Sequence, residues 1–267
     1  MLAFSGGACD NAAMAQPYDL EPIDETPAAP AGVIVRSSPE EALEAAATDL
    51  FLHAMNCVRA FGDFSLALSG GRTPVRLYQM LMLDPQYRAF PWSRTHLWVT
   101  GEAVTGPARG AASTLLRELI AQHSGLPSEQ FHPVKPDAGV TAYAKELRDT
   151  LGWRERGHDR LDYVLLGVGA SGSPAGLSRH TDVDPERLFH AAGEPGSEWH
   201  SLGVRAINGA RFVAVLAVGT EKHQPVKPAI HRNGDQTPSR PIDHIQPVGG
   251  ELRWYLDKAA FSGEASA

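Results

Sequence analysis

The 267-residue sequence has few cysteines, no long apolar run and no excess of basic residues. Cys9 lies in a segment typical of a tail and Cys57 in a helical pattern, so neither a disulfide framework nor a zinc site is indicated. No apolar run approaches the roughly 20 residues that a membrane-spanning helix needs. The N-terminus lacks a basic region followed by an apolar core, so we expect no secretory signal and no membrane partner.

The charge balance excludes a further class of function. The net charge is −7, and an acidic protein lacks the basic surface that general nucleic-acid binding needs. The apolar fraction of 43% is enough for a hydrophobic core, and the charged fraction of 21% is ordinary. The composition therefore predicts a globular cytoplasmic protein with no nucleic-acid partner, built as one large domain or two small ones.

The first 31 residues differ in composition from the rest of the chain. Glycine, alanine, proline and acidic residues dominate this segment, which ends in PAAPAG. Such a composition is typical of chain that does not form a packed core. We predict a flexible N-terminal tail over residues 1–31 and a single folded domain over residues 32–267.

Strands and helices alternate along the predicted domain. Short apolar runs predict strands at residues 32–36, 64–68, 96–99, 131–134, 161–168 and 211–218, of which 131–134 contains a proline and suits a sheet edge. Helical spacing predicts helices at residues 39–61, 75–82, 114–123, 141–151 and 249–260, and residues 181–198 are interpreted as irregular. Because several strands are apolar throughout, we predict an α/β fold with a doubly wound, mostly parallel sheet and helices on both faces.

The most informative stretch is FSLALSGGRTPVRLYQMLM, at residues 64–82. Its strand is followed by Ser69 and two adjacent glycines, Gly70 and Gly71. Adjacent glycines let the backbone turn tightly and bring N–H groups close to a ligand. A strand, a glycine turn and a helix start in this order form an anion site, because the helix N–H groups and the positive end of the dipole favour a phosphate.

The residues after the turn favour the same interpretation. Thr73 and Pro74 suit the N-cap and first turn of a helix. Arg72 lies inside the turn and can offer a guanidinium fork to a phosphate. The alternative is an ordinary strand-to-helix turn whose glycines serve only the backbone geometry, and a short glycine motif does not separate the two.

Four loops follow predicted parallel strands, at residues 69–73, 100–112, 169–180 and 219–222. In doubly wound sheets, ligands bind beyond the carboxyl ends of the strands. If these four loops gather at one edge of the sheet, they form one site.

With these loops in this order, the sequence resembles the 6-phosphogluconolactonase family, which is grouped with the glucosamine-6-phosphate isomerases. The resemblance covers about residues 32–260. Its most specific segments are LALSGGRTP at 66–74, LDYVLLGVG at 161–169, RAINGARFVAVLAVGTEK at 205–222 and IQPVGGELRWYLDKAA at 245–260. The last two resemble the lactonase branch more than the deaminase branch.

The resemblance implies a protein that binds a phosphorylated sugar or sugar lactone. It implies hydrolysis of 6-phosphogluconolactone in the oxidative pentose phosphate pathway, without a metal or another cofactor. In the family, the glycine turn and basic residues hold the phosphate, and a histidine in a DGHTA loop handles the proton of the attacking water, a step that suits a neutral imidazole. The substrate-binding residues implied here are Ser69, Gly70, Gly71, Arg72, Thr73 and Lys222, although a lysine such as Lys222 can also be a plain surface residue.

The sequence departs from the family pattern at the positions of the chemistry. Alignment without gaps places Ser171 at the family's aspartate and Ser173 at its histidine. Residues 100–102, Thr-Gly-Glu, stand where the family has Asp-Glu-Arg. Further along, Trp199 replaces the arginine of an RxTLT segment.

The segment after Lys222 also departs from the pattern. The family's loop leads into a helix there, whereas this chain carries Pro225 and Pro228. Proline lacks the N–H that a helix interior needs, so we expect these residues to break the helix.

These departures leave two functions open. A serine hydroxyl has no accessible pKa for proton transfer, and losing a general base costs about 10²–10⁴-fold in rate. His180, seven residues along the same loop, is either a replacement imidazole or a solvated loop histidine, and Ser173 as a nucleophile has no identifiable histidine partner. The chain is therefore a 6-phosphogluconolactonase with a diverged site, or a catalytically impaired relative that binds a sugar phosphate or a protein partner that the sequence does not identify. A glucosamine-6-phosphate deaminase would need acidic and histidine residues of its own at these loops, which are absent.

Overall fold

A computed structural model gives the arrangement of most of the chain. It describes residues 29–152, 160–169, 172–174, 177, 187–193, 195–232 and 237–264. All but the last three residues of the predicted tail lie outside these ranges. The division into a tail and a domain at residue 31 therefore stays a prediction.

Strands and helices alternate along the described residues, as the sequence predicts. The ten strands found there are β1 (Val33–Arg36), β2 (Phe64–Leu68), β3 (Thr95–Val99), β4 (Gly101–Ala103), β5 (Phe131–His132), β6 (Tyr163–Gly167), β7 (Phe189–Ala192), β8 (Trp199–Leu202), β9 (Phe212–Ala217) and β10 (Glu251–Asp257). The seven α-helices found there are α1 (Pro39–Phe61), α2 (Val75–Leu83), α3 (Ala111–Leu116), α4 (Gly139–Leu151), α5 (Val204–Asn208), α6 (His223–Ile230) and α7 (Lys258–Ser262).

The main sheet contains seven strands in the order β1-β10-β9-β6-β2-β3-β5. Each neighbouring pair in this sheet is parallel. β6 lies at the centre, where Tyr163, Val164 and Leu165 are fully buried, and β5 lies at an edge as its proline-containing sequence predicts. The predicted α/β fold with a parallel sheet is confirmed.

Side chains of β10 alternate between the two faces of the main sheet. Arg253 and Tyr255 face α1, where both contact Asp49, at 2.5 Å and 2.6 Å. Trp254, between them, points to the opposite face, where Ala229 of α6 lies in the same cavity wall. Helices therefore cover both faces, as expected for a doubly wound sheet.

Local sequence signals fix both ends of α1. The hydroxyl oxygen of Ser38 accepts a hydrogen bond from the N–H of Glu41 at 3.2 Å, and Pro39 is the first helical residue. Gly62 ends the helix in the left-handed conformation, with φ at 92°. A hydroxyl cap, a first-turn proline and a terminal glycine are the strongest local helix signals, and the predicted helix at 39–61 is confirmed.

The predicted C-terminal helix at residues 249–260 is wrong. Residues 251–257 form β10, which lies between β1 and β9, and only α7 after it is helical. The apolar side chains of Leu252, Tyr255 and Leu256 recur at a spacing that also suits a helix. The aromatic residues of the segment favour a strand, and burial between two parallel neighbours decides in favour of the strand.

The prediction that residues 181–198 are irregular is also wrong for the part that the structure describes. β7 lies there and pairs with β8, and β8 pairs with β4, in a small antiparallel sheet. β4 itself falls within the predicted loop at 100–112. Each of these strands has three or four residues, and the pairing of β4 with β8 joins segments that are far apart in the sequence.

Two helices differ from the predictions. α3 begins at Ala111 rather than at residue 114, and it continues into a π-helical turn at Arg117–Ala121. We expected prolines to break the helix after Lys222, and this prediction is wrong. The helix α6 forms there and contains both Pro225 and Pro228.

The positions of these prolines explain why α6 tolerates them. Pro225 is the third residue of α6, where a backbone N–H has no partner within the helix. Pro228 removes one interior hydrogen bond, and burial of Val226 and Ile230 on the inner face offsets that loss. Among the helices that the structure describes, none has the length and apolar composition of a membrane span.

Candidate functional site

The order of strands reverses between β2 and β6, and the carboxyl ends of these two strands are bonded to each other. The hydroxyl oxygen of Ser69, just after β2, accepts a hydrogen bond from the N–H of Gly167 at 3.2 Å. The hydroxyl of Tyr78 in α2 donates to the carbonyl oxygen of Ser69 at 2.6 Å. Ser69 is buried, so in this structure its hydroxyl fixes the glycine turn beside the loop that follows β6.

The two glycines of the turn meet different surroundings. A Cβ atom on Gly70 would lie 2.6 Å from the Cβ atom of Ala112, at the start of α3. Gly71 has φ at 101°, and a Cβ atom there would have nothing within 4 Å. Gly70 therefore allows close packing between two of the four loops, whereas Gly71 gives the turn its backbone conformation and faces open space.

The start of α2 differs from the sequence prediction. Thr73 is not the N-cap, because the helix begins at Val75 and no side chain caps it. A turn precedes it, in which the N–H of Val75 donates to the carbonyl oxygen of Arg72 at 3.3 Å. The hydroxyl of Thr73 makes no hydrogen bond with another described residue, and the guanidinium of Arg72 is exposed and makes no ion pair within the described ranges. The start of α2 thus follows a turn that carries an exposed positive side chain, an arrangement that suits an anion.

Glu102 in the second loop has a structural role that the sequence did not indicate. Its side chain is fully buried, and its two oxygens accept hydrogen bonds from the N–H groups of Ala112 at 3.0 Å and Ser113 at 2.6 Å. The carboxylate therefore satisfies the N-terminus of α3 and holds Ala112 against the glycine turn. Local capping patterns do not reveal this contact, because acceptor and donors are about ten residues apart.

The third loop turns back on itself directly after β6. The N–H of Gly169 donates to the carbonyl oxygen of Ser173 at 3.2 Å, and the N–H of Gly172 donates to the carbonyl oxygen of Gly169 at 3.0 Å. Ser173 is half-buried in this turn. Two other residues discussed for this loop, Ser171 and His180, lie outside the described residues. Of the two candidate catalytic residues, only Ser173 is placed, near the end of the strand whose Gly167 bonds to the glycine turn.

The fourth loop brings Lys222 to the same side of the sheet. Its side chain is 13% exposed, and its Nζ atom lies 3.9 Å from a carboxylate oxygen of Glu221. Asp257, at the carboxyl end of β10, accepts hydrogen bonds from the N–H of Gly219 at 3.0 Å and from the N–H of Ala260 at 2.9 Å. This buried carboxylate therefore fixes the loop that carries Lys222, a role hidden from the sequence by the wrong helix prediction.

The third loop also touches the helix that follows the fourth loop. A Cβ atom on Gly172 would lie 3.4 Å from the Cβ atom of Pro225, in the first turn of α6. With the Gly70–Ala112 and Ser69–Gly167 contacts, this links the four loops in one series along the carboxyl edge of the main sheet, the third also through the end of β6 and the fourth through the start of α6. In the sequence analysis, this gathering was the condition under which the four loops form one site.

Two buried histidines near this edge were not singled out from the sequence. His190 lies in β7 and His200 in β8, and the Cα atom of His200 is paired with that of Glu102 across the small sheet. Cross-strand partners share a face, so the ring of His200 lies on the same face as the Glu102 carboxylate. Burial lowers the pKa of His200 and favours its neutral ring.

The carboxyl edge of the main sheet thus offers backbone N–H donors and cationic side chains. Residue 173 at this edge is a serine and not a histidine. Arg72 and Lys222 supply positive charge, and the start of α2 supplies N–H groups. Within the described ranges, no three His, Cys, Asp or Glu side chains are grouped so that they could hold a metal ion. The arrangement can hold an anionic group, and a serine, Ser173, stands at the position where the resemblance implies a histidine.

Comparison with known proteins gives one consistent family. The sequence model described as glucosamine-6-phosphate isomerases/6-phosphogluconolactonase matches residues 37–254. The human GDH/6PGL endoplasmic bifunctional protein is 33% identical over 246 residues, which cover 86% of this chain and 30% of that protein. The chain therefore spans less than a third of that relative. A 6-phosphogluconolactonase from Nostoc is 28% identical over 230 residues, which cover 83% of this chain and 93% of the relative.

Solved structures support the same fold. The structure titled devB protein has a TM-score of 0.71 at 23% identity, covering 87% of this chain and all of that one. The 6-phosphogluconolactonase from Trypanosoma cruzi has a TM-score of 0.71 at 22% identity, covering 85% of this chain and 94% of that one. At these identities the likeness establishes the architecture and leaves the chemistry to the residues of this chain.

Proposed function

The chain belongs to the glucosamine-6-phosphate isomerase/6-phosphogluconolactonase family, and on this premise we propose that it is a 6-phosphogluconolactonase-like protein that binds a phosphorylated sugar lactone. The observation that carries the proposal is the glycine turn. It is held at the switch point of the sheet by the Ser69–Gly167 hydrogen bond, with Gly71 facing open space and Arg72 exposed beside it. A phosphate at this position would meet the N–H groups of the turn and of α2 together with a guanidinium group.

The proposed binding roles follow from this placement. Arg72, Gly71 and the start of α2 contact the phosphate, and Lys222 supplies a second cation from the loop that Asp257 holds. Gly70 keeps the turn close to α3, and Ser69 positions it from behind. Thr73 offers its hydroxyl to the ligand rather than to the helix.

Hydrolysis at this site is slow in the proposed mechanism. Attack on a lactone carbonyl needs an activated water and stabilisation of the developing oxyanion. Ser173 stands where the resemblance implies a histidine, and a serine hydroxyl does not accept a proton near pH 7. The site can still position the lactone and place cations near its phosphate, but it lacks a general base at residue 173. We therefore expect a rate of hydrolysis about 10²–10⁴-fold below that of a site with a general base. A cytoplasmic place in the oxidative pentose phosphate pathway, and hydrolysis without a metal, are parts of this proposal.

A pH-stat assay on freshly generated 6-phosphogluconolactone tests the proposal. We expect a small, saturable acceleration over spontaneous hydrolysis, and none for the lactone without its phosphate. Ser173→Ala should leave the rate unchanged, because the hydroxyl takes no proton in this mechanism. Equal acceleration of both lactones would contradict the phosphate-binding role.

The alternative function, a pseudoenzyme that binds a sugar phosphate or a protein partner, predicts a different result in the same assay. The rate with phosphorylated lactone would equal the spontaneous rate, while 6-phosphogluconate would still bind. A rate that falls sharply in Ser173→Ala would exclude both this alternative and the slow mechanism above.

A further inference from the structure

Arg240 and Asp243 form an ion pair in the segment between α6 and β10. Arg240 stands immediately before a 3₁₀ turn at Pro241–His244, and Asp243 lies within that turn. The Nη2 atom of Arg240 lies 2.7 Å from Oδ1 of Asp243, and its Nε atom lies 3.3 Å from Oδ2. Both side chains are largely buried. Such a two-point contact holds the plane of the guanidinium group in one orientation.

The Asp243 carboxylate is in turn held by the backbone before it. Its Oδ2 atom accepts hydrogen bonds from the N–H groups of Ser239 at 3.2 Å and of Arg240 at 3.0 Å. Burial opposes ionisation of Asp243, but the hydrogen bonds from Arg240 and Ser239 outweigh it and lower its pKa. The carboxylate is therefore charged at neutral pH, and it gives Arg240 a fixed partner.

The guanidinium group has a further hydrogen bond, which reaches a different element. Its Nη1 atom donates to the carbonyl oxygen of Pro225 at 2.8 Å. Pro225 is buried in the first turn of α6, three residues after Lys222. Arg240 therefore ties the start of α6 to the turn that contains Asp243.

The same proline contacts the third loop of the candidate site. A Cβ atom on Gly172 would lie 3.4 Å from the Cβ atom of Pro225. Gly172 belongs to the turn in which the N–H of Gly169 donates to the carbonyl oxygen of Ser173 at 3.2 Å. Pro225 thus lies between Arg240 on one side and the turn that carries Ser173 on the other.

The start of α6 has little support within the helix itself. No described side chain caps this helix. Pro228 has no N–H group to donate to the carbonyl oxygen of Gln224, which lies four residues before it in the first turn. The position of this turn therefore depends more on contacts outside the helix, of which the bond from Arg240 to Pro225 is one.

From these contacts we propose that Arg240 is a positioning residue for the sugar-phosphate site and acts through Lys222. The role rests on the proposed function and adds a residue to it. Asp243 holds Arg240, Arg240 holds the first turn of α6, and that turn fixes where Lys222 lies. Loss of Arg240 would displace this second cation and leave Arg72 and the glycine turn in place.

A double-mutant cycle on the full chain tests the proposal, with calorimetry of 6-phosphogluconate binding. We expect Arg240→Met and Lys222→Met each to weaken binding about tenfold. Since Arg240 acts through Lys222, the double variant should bind no more weakly than Lys222→Met alone. Independent effects would multiply to about a hundredfold loss, and that result would overturn the proposal.

Arg211→Met is the matched control for a general loss of stability. Arg211 pairs with Asp162 at 3.0 Å, and their side chains are 18% and 0% exposed, against 14% and 4% for Arg240 and Asp243. Arg211 stands just before β9, at the amino edge of the main sheet and away from the four loops. It should lower the urea midpoint about as much as Arg240→Met and leave the affinity for 6-phosphogluconate unchanged. Equal weakening of binding by the two variants would overturn the positioning role.

Hydrogen exchange without ligand keeps this proposal distinguishable from the proposed function. In Arg240→Met, we expect the amides of residues 219–230 to exchange at least about tenfold faster than in the wild type, and those of α1 to be unchanged. If the wild type binds no 6-phosphogluconate, the proposed function fails, and faster exchange at residues 219–230 still supports the hold of Arg240 on α6. Unchanged exchange at these residues would overturn the role of Arg240, whatever the result with the ligand.

Discussion

Gly70 and Ala112 are packed so closely that a Cβ atom on the glycine would lie 2.6 Å from the Cβ atom of the alanine. Real Cβ atoms do not approach this closely, so the turn after β2 and the start of α3 exclude any side chain between them. Gly71, the next residue, has open space around it but a φ of 101°. Adjacent glycines thus serve packing at one position and backbone conformation at the other.

This difference predicts unequal effects of two alanine substitutions. Gly70→Ala must displace the turn or α3, so we expect it to lower the free energy of unfolding by about 1–3 kcal/mol and to weaken 6-phosphogluconate binding. Gly71→Ala meets no atom, and its strain should lower the free energy of unfolding by only about 1–2 kcal/mol. Urea unfolding and calorimetry on both variants measure these effects. A Gly70→Ala protein that binds and unfolds like the wild type would show that the contact is not tight.

The buried carboxylate of Glu102 predicts a stability effect of its own. Glu102→Ala leaves the N–H groups of Ala112 and Ser113 buried without this acceptor, so we expect the free energy of unfolding to fall by about 3 kcal/mol. Glu102→Gln keeps one acceptor oxygen and should lose less. Glu118→Gln, at an exposed position after α3, is the control and should be close to the wild type. Equal stability of Glu102→Ala and the control in urea unfolding would contradict the assigned role.

Three partly or fully buried histidines predict that stability falls in acid. Burial lowers the pKa of His53, His132 and His200 in the folded protein. An unfolded histidine has a pKa of about 6.5, so below that pH the unfolded chain binds more protons than the folded one. Stability is therefore retained above about pH 6.5 and lost as the pH falls towards the lowered pKa values, by up to about 1.4 kcal/mol per pH unit for each proton.

Urea unfolding at pH 7.5 and 5.5 would measure this loss, and His200→Gln should make it smaller. His200 is the cleanest choice, because burial is the sole cause of its lowered pKa, whereas His132 also bonds to Glu146 at 2.7 Å. Stability that rises as the pH falls over this interval would contradict the assignment. So would a His200→Gln variant with a steeper loss than the wild type.

The central part of the fold was predictable because its sequence features are either local, such as the caps of a helix, or continuous along a strand, such as an apolar run. Strands β6 and β9 are apolar throughout and β2 is apolar except for Ser65, as is typical of parallel strands buried on both faces, and α1 has a cap at each end. The glycine turn follows one of these strands, so its place at the carboxyl edge was predictable too. The wrong prediction of a helix at 249–260 shows the limit of such local signals. The spacing of apolar residues around Tyr255 fits the period of a helix as well as that of a strand, and only pairing with the neighbouring strands determines that the segment is a strand.

Other parts of the fold and of the site were not predictable, because they depend on contacts between segments that are distant in the sequence. The small sheet joins Glu102 to His200, and no local pattern in strands of three or four residues announces such a pairing. The roles of Glu102 and Asp257 were missed for the same reason, because each carboxylate bonds to N–H groups outside its own strand. The assignment of Thr73 as the helix cap was wrong because a turn at Arg72 delays the helix to Val75.

The most direct test is calorimetric titration of 6-phosphogluconate into the wild type and two matched variants. Arg72→Gln removes the guanidinium from the glycine turn, whereas Arg76→Gln removes one from the exposed side of α2, two residues into the helix. We expect saturable binding to the wild type, binding weakened about tenfold or more in Arg72→Gln, and no change in Arg76→Gln. Absence of binding to the wild type, or equal affinities of the two variants, would contradict a phosphate site at this turn.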